Sequence, residues 1–151
     1  MKPMRNIVLG IVEHHGKILV YQSTSPDTGV SFCRPLGGGI EHGEYADQAL
    51  KREFLEELGT EIEVLENLGV IEEVFLWNGE LAHQVFFLYR IRLLDPQFYS
   101  DNHFPVLDDS ITALWKPLKD FHRGERLVPT GLLERISACG EAEPVLSPDQ
   151  S

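Results

Sequence analysis

The residues best suited to chemistry lie between Gly37 and Gly59, in the stretch GGGIEHGEYADQALKREFLEELG. Glu53, Glu56 and Glu57 are spaced three and four apart, so on an α-helix they fall on one arc. On the same helix Ala46, Leu50, Phe54 and Leu58 form an apolar stripe, with Ala49 at its edge. The acidic arc lies beside that stripe and partly over it, while Gln48, Lys51 and Leu55 take the opposite side. The carboxylates therefore belong to the boundary between core and water. Like charges at this spacing repel, and more strongly when partly desolvated. Arg52 can offset one of them. A hard divalent cation, Mg²⁺ or Mn²⁺, would satisfy the rest, because these ions take carboxylate and carbonyl oxygens. Gly37, Gly38 and Gly39 let the backbone come close to a ligand and aim carbonyls or amides at it. Taken singly, the acids read as a solvated face and the glycines as a tight turn. Together they point to a metal-phosphate site.

Those residues need elements to position them. Residues 45–58 are predicted as a helix, with Gly59 just past its end as a C-terminal cap. Ile7–Glu13 and Lys17–Gln22 are β-rich runs separated by His14-His15-Gly16, which reads as a hairpin. Ser23–Gly29 is a turn-forming loop, and a short run around Phe32 leads into the glycines. Beyond the helix, Thr60–Glu73 is strand material broken at Asn67-Leu68-Gly69. Asn78-Gly79 is a strong hairpin signal between Val74–Trp77 and the run Ala82–Leu94. Asp95–Asp109, with its acids and Pro96 and Pro105, reads as a surface loop; Ile111–Trp115 reads as a short strand. Thr130–Cys139 fits a closing helix with Leu132, Leu133 and Ile136 on one face, and the polar residues from Gly140 onward read as frayed. Strands on both sides of a mid-chain helix predict an α/β fold with a mixed sheet. The expected organisation is one domain over residues 1–140 and a flexible tail over 141–151.

Composition narrows the partners. With 151 residues, 42% of them hydrophobic, the chain suits one domain whose core needs no metal or disulfide staple. Thirteen Lys and Arg against 24 acids give a net charge of −11. That argues against a basic-patch binder of nucleic-acid polymers and against an anionic membrane surface. It leaves small phosphorylated ligands open, since a bound cation reverses the local sign. Cys33 and Cys139 belong to no CxxC or Cys/His spacing, so they read as small core residues, and nothing demands an oxidising compartment. No apolar run approaches the roughly 18 residues of a membrane helix, and Ile7–Val12 is too short for a secretory signal. A cytoplasmic location is expected.

The stretch from Gly38 resembles the Nudix box, G-x5-E-x7-R-E-U-x-E-E-x-G-U, where U is a bulky aliphatic residue. Gly38, Glu44, Arg52, Glu53, Glu56, Glu57 and Gly59 supply all of its fixed letters, and Phe54 and Thr60 depart at two packing positions. The preceding Arg34-Pro35-Leu36-Gly37-Gly38-Gly39 is similar to a variant among small MutT-like members. The resemblance implies an α/β/α sandwich and hydrolysis of a diphosphate bonded to another group. It further implies Glu53, Glu56 and Glu57 as Mg²⁺ ligands, with Mn²⁺ as a substitute, helped by a backbone carbonyl of the Gly37–Gly38 turn. Arg52 would orient the carboxylates, and Glu44 would contact them indirectly. Glu53 is the first choice for general base; Asp101, Asp108 and Asp109 are the alternatives outside the box.

The expected catalytic set is thus Glu53, Glu56 and Arg52, with Arg34, Gly38 and Gly39 toward substrate. Phe32, Phe75, Trp77 and Tyr89 lie in segments that could flank a base, although each reads first as core packing. His83 reads as a polar strand residue, His14 and His15 as turn residues, and His42 has no special role. The resulting expectation is a Mg²⁺-dependent pyrophosphohydrolase acting on a nucleotide-type small molecule, either a nucleoside diphosphate derivative such as a nucleotide sugar or ADP-ribose, or a nucleoside triphosphate. The competing readings are a non-catalytic nucleotide sensor, disfavoured by the intact box acids, and an isoprenoid diphosphate isomerase, for which neither cysteine sits in a suitable motif. A homodimer is compatible with the resemblance, and no interface signal stands out.

Overall fold

Strand β1 (Arg5–Ile11) lies between two differently built halves. On one side it runs parallel to β6 (Glu80–Leu93), and on the other antiparallel to β4 (Ser31–Gly39). The remaining strands are β2 (Glu13–His14), β3 (Lys17–Thr24), β5 (Ile62–Trp77), β7 (His103–Pro105) and β8 (Thr112–Pro117). They form one eight-stranded mixed sheet in the order β5-β6-β1-β4-β3-β8-β7, with β2 paired to β3. Helix α1 (Ala46–Leu58) follows β4, while α2 (Leu118–His122) and α3 (Leu132–Ala142) close the chain. This is a computed structural model and describes residues 3–107 and 111–142, with 138–142 by backbone alone. Helix α3 includes Gly140–Ala142, which the sequence suggested as the frayed start of the tail; residues 143–151, like the side chain of Cys139, lie outside what is described.

Alternation along the central strands builds both layers of the core. In and beside β1, Val8 and Val12 turn toward α1, where they join Leu50, Phe54 and Leu58. Ile7, Leu9 and Ile11 turn the other way, onto Leu132 and Ile136 of α3 and Phe121 of α2. The result is the expected α/β/α sandwich. Gly10 is what lets α1 settle so closely: a Cβ there would fall 2.6 Å from Ile91 and 3.0 Å from the Phe54 ring.

The hairpins follow their sequence signals. Asn78 and Gly79 both take positive φ, 59° and 79°, and the turn joins β5 to β6. The first hairpin joins β2 to β3 through His15 and Gly16, so β1 is a separate strand and not its first arm.

Two expectations are corrected. The break at Asn67-Leu68-Gly69 is a bulge inside the continuous strand β5, not an end to it. There Asn67 Oδ1 accepts the Gly69 N–H at 2.8 Å, and Arg135 of α3 donates to the carbonyls of Leu68 and Val70 at 2.7 and 3.0 Å. A Cβ on Gly69 would lie 2.5 Å from the Arg135 guanidinium, so glycine makes room for the helix to dock. Residues 95–107 are likewise more than a surface loop. Pro96–Tyr99 is a 3-10 turn capped by Asp95, β7 pairs with β8, and Phe104 and Val106 are buried. Burial of these apolar side chains outweighs the prolines and acids that suggested a loop.

Arg90 is the buried charge of the sheet, ion-paired to Glu13 and to Glu66 at 3.1 Å. Stability rests most visibly on Phe54, which is fully buried between α1 and the sheet. Phe54→Ala is expected to cost about 3–5 kcal/mol in denaturant unfolding, with the fold retained; a loss below about 1 kcal/mol would contradict this packing.

Candidate active site

Helix α1 is fixed at both ends. The Tyr45 N–H donates to Gln48 Oε1 at 2.9 Å, and Gly59 closes the last turn in the left-handed conformation, its N–H on the Leu55 carbonyl. Between these ends the helix shows the faces its sequence predicts. Leu55 and Lys51 are exposed, Leu50 and Phe54 are buried, and the acids lie at the boundary. Glu57 is buried, the Glu53 side chain is only 14% exposed, and that of Glu56 is 51% exposed.

Arg52 organises this boundary. Its Nε and Nη2 donate to the two Glu44 carboxylate oxygens at 2.7 and 2.9 Å. Nη1 donates to Glu53 at 3.0 Å and to Glu56 at 3.4 Å, and Nη2 also reaches the Gly39 carbonyl at 3.0 Å. One guanidinium thus holds Glu44, Glu53 and Glu56, where the sequence suggested it could offset a single acid. The forked geometry suits this, since five N–H groups point outward in one plane.

The glycines are not a turn. Gly37, Gly38 and Gly39 end strand β4 and pair with Leu9, Val8 and Ile7 of β1. They are required by close approach. A Cβ on Gly37 would sit 1.9 Å from the Val8 carbonyl oxygen, and one on Gly38 would sit 2.4 Å from the Glu53 carboxylate. The Glu53 carboxylate therefore lies directly against the Gly38 backbone, in the place a side chain there would take.

By type, the carboxylates of Glu53, Glu56 and Glu57 and the backbone carbonyls of Gly37 and Gly38 are the donors a hard divalent cation takes. Among the described residues, no three His, Cys, Asp or Glu side chains converge on a single point, and Glu53 and Glu56 are held by Arg52 instead.

A groove of about 660 Å³ lies alongside. Tyr21, Phe32 and Arg34 of β3 and β4 form one wall; Phe75, Trp77 and Gln84 of β5 and β6 form the other. At the far end Phe32 and Trp77 meet edge to face, with ring centroids 6.1 Å apart. Asp27 closes that end, its two oxygens accepting the N–H groups of Asn78 and Gly79 at 2.8 Å each. Arg34 donates to the Tyr21 hydroxyl at 2.8 Å and lies over the Tyr21 ring.

The structure thus brings together Arg52, Glu53, Glu56 and Gly37–Gly39, has Glu57 buried one position along the helix, and puts Arg34 in the adjoining groove. Phe32, Phe75 and Trp77 line that groove instead of filling the core, because the hairpin β5–β6 extends past the helices that would cover it. Tyr89 is the exception. It packs on the α1 side, where burial and then the nearby Asp47 push its hydroxyl pKa up. His83 pairs with Glu72 at 2.6 Å, and Cys33 is buried. Asp101 is exposed and makes no hydrogen bond or ion pair with α1, while Asp108 and Asp109 lie outside the described residues. Sequence reasoning missed Arg5 and Asp27. Neither sits in a motif: Arg5 acquires its place through the pairing of β1, and Asp27 through its bonds to the distant Asn78-Gly79 turn.

The Arg52 bonds, and then the Glu41 N–H, hold the Glu44 carboxyl at a pKa of about 2, below its ordinary 4.5. A folded-state value below the unfolded one means the pairing stabilises the fold above pH 4.5, and this contribution disappears as pH falls toward 2. Carboxyl NMR should therefore give a Glu44 midpoint near 2, and Arg52→Ala should return it toward 4.5. An ordinary midpoint in the unaltered protein would contradict the pairing.

Comparison with known proteins agrees with the fold. The family model described as NUDIX domain matches residues 1–133. The solution structure of the E. coli ORF135 protein is 26% identical, covers 93% of this chain and 94% of its own, and superposes with a TM-score of 0.61. The MutT NUDIX hydrolase from Burkholderia pseudomallei is 22% identical over 89% of this chain and 99% of its own, with a TM-score of 0.65. An ADP-ribose pyrophosphatase from Streptococcus suis is 18% identical over 91% and 90%, with a TM-score of 0.54. No curated protein matches the sequence. A family model spanning most of the chain, on a fold shared with hydrolases of that name, makes this protein a member of the NUDIX family of hydrolases.

Proposed function

We propose that this chain is a divalent-metal-dependent pyrophosphohydrolase. It cleaves the phosphoanhydride bond of nucleoside diphosphate derivatives, such as nucleotide sugars or ADP-ribose, or of nucleoside triphosphates. The observation that carries this reading is the Arg52-centred array of Glu44, Glu53 and Glu56 facing Gly38, beside a groove lined by aromatic rings and arginines. Relatives of the same fold are named MutT, UDP-X diphosphatase and ADP-ribose pyrophosphatase, which is where the candidate substrates come from.

Glu53, Glu56 and Glu57, with the Gly37 or Gly38 carbonyl, would hold Mg²⁺, with Mn²⁺ as a substitute. Such an ion polarises phosphoryl oxygens and offsets the charge of the transition state. The remaining chemistry belongs to the chain. Gly38, lacking a side chain, lets the Glu53 carboxylate lie against the end of β4. Glu53 takes the proton of the attacking water as its oxygen bonds to phosphorus and the anhydride P–O bond breaks, the departing oxygen carrying the charge away. Arg52 keeps Glu53 and Glu56 aimed at that point, and Glu44 keeps Arg52 in place. Arg34 contacts the substrate in the groove, and Gly39 borders it. The −11 charge favours a small nucleotide over a polymer.

The test is a substrate panel with Mg²⁺ covering nucleotide sugars, ADP-ribose, dinucleoside polyphosphates and the common nucleoside triphosphates, assayed for phosphate with and without coupled alkaline phosphatase. Turnover of one class is expected, with loss on chelation. Glu56→Gln should lower kcat about 10²-fold or more while unfolding like the unaltered protein, since that side chain is half exposed. Near-normal activity of this variant would remove Glu56 from the site. Silence across the panel with tight binding of one member would instead indicate a nucleotide sensor.

A further inference from the structure

Arg5 opens β1 where the groove meets the carboxylate array. Its side chain is exposed and lines the groove, and a Cβ on Gly39 would lie 3.1 Å from its Nη2. The carbonyl of that same Gly39 accepts from Arg52 at 3.0 Å. Two guanidinium groups therefore flank one residue at the end of β4, in opposite electrostatic situations. Arg52 is surrounded by carboxylates. Arg5 has no carboxylate partner among the described residues, and neither have Arg34 and Arg126, the other cations of the groove.

This runs against the composition. With 24 acids to 13 Lys and Arg, a cation has many carboxylates to choose from. The acids that do line the groove are engaged elsewhere: Asp27 with the amides of Asn78 and Gly79, and Glu73 with the amide of Thr130. The groove thus holds three guanidinium groups, while its two carboxylates, Asp27 and Glu73, are turned to backbone amides. A guanidinium gains most from a forked oxyanion, and a phosphate has that shape.

We propose that Arg5 binds the phosphate that stays on the groove side of the scissile bond. The groove then selects a phosphorylated nucleoside by its phosphate as well as by its ring. This rests on the hydrolase reading above and adds a residue to it. Arg52 arranges the carboxylates, and Arg5 positions the ligand against them. Arg5 contributes nothing to the core, so replacing it leaves the fold intact.

The experiment titrates the unaltered protein, Arg5→Ala and Arg5→Lys with the four ribonucleoside 5′-monophosphates and their parent nucleosides, by calorimetry with Mg²⁺ present. Monophosphates contain no anhydride, so binding is read without turnover. At least one should saturate the unaltered protein. Arg5→Ala should weaken that one about tenfold or more, and Arg5→Lys should recover part of the loss. The nucleosides should bind all three proteins alike. On the best panel substrate, KM should rise by a similar factor while kcat changes less than about threefold. Equal monophosphate binding by Arg5→Ala, or an equal loss for the nucleosides, overturns the assignment. A panel substrate turned over with unchanged KM by Arg5→Ala defeats this inference alone. A protein that neither binds nor hydrolyses any nucleotide defeats the hydrolase reading with it.

Discussion

The crowding of acids along one side of α1 is the constraint from which the rest of the site follows. Glu53, Glu56 and Glu57 sit beside a stripe that must be buried, so they can neither retreat fully into water nor enter the core unneutralised. Arg52 resolves part of this by bonding Glu44, Glu53 and Glu56 at once, and Glu44 in turn fixes the guanidinium plane from outside the helix. Charge repulsion alone would loosen the last turns of the helix. With Arg52 in the middle it becomes a rigid array, with oxygen atoms left facing the end of β4. The same logic explains why Gly37 and Gly38 cannot carry side chains, since any Cβ would intrude on the β1 backbone or on Glu53.

The sheet supports that array from both sides. Val8 and Val12 press on α1 while Ile7, Leu9 and Ile11 press on α3, so the strand carrying Arg5 is gripped by two layers. The groove lies where helices no longer cover the strands, and Asp27 ties its walls together with two backbone bonds. Core and site are therefore built from the same strands, and the site lies where the core runs out.

Local signals were readable wherever the physics is local. The α1 faces, the Gly59 cap and the Asn78-Gly79 turn follow from periodicity and turn chemistry within a few residues. The box letters identified the carboxylate array because their spacing is itself a helical geometry. Long-range partners were not readable. The glycines looked like a turn because their reason for being glycine, the Val8 carbonyl and the Glu53 carboxylate, lies in other segments. Asn67-Leu68-Gly69 looked like a break because the Arg135 that fills the bulge is far along the chain. Phe32 and Trp77 looked like core because nothing in either segment tells that their helix cover ends.

Strand β4 carries groups of both kinds, with Phe32 and Arg34 in the groove and Gly37 to Gly39 at the carboxylates. Six residues of extended chain separate Phe32 from Gly38, and at the usual strand rise that is roughly 20 Å. Its first half is paired to β3 and its glycine end to β1, so its length is fixed. It acts as a ruler: a ligand seated against the rings at one end presents to the carboxylates whichever bond lies one ruler-length away. Length, more than affinity, would then decide which bond is cut. Lengthening or shortening β4 would move the reading along the ligand without altering either end.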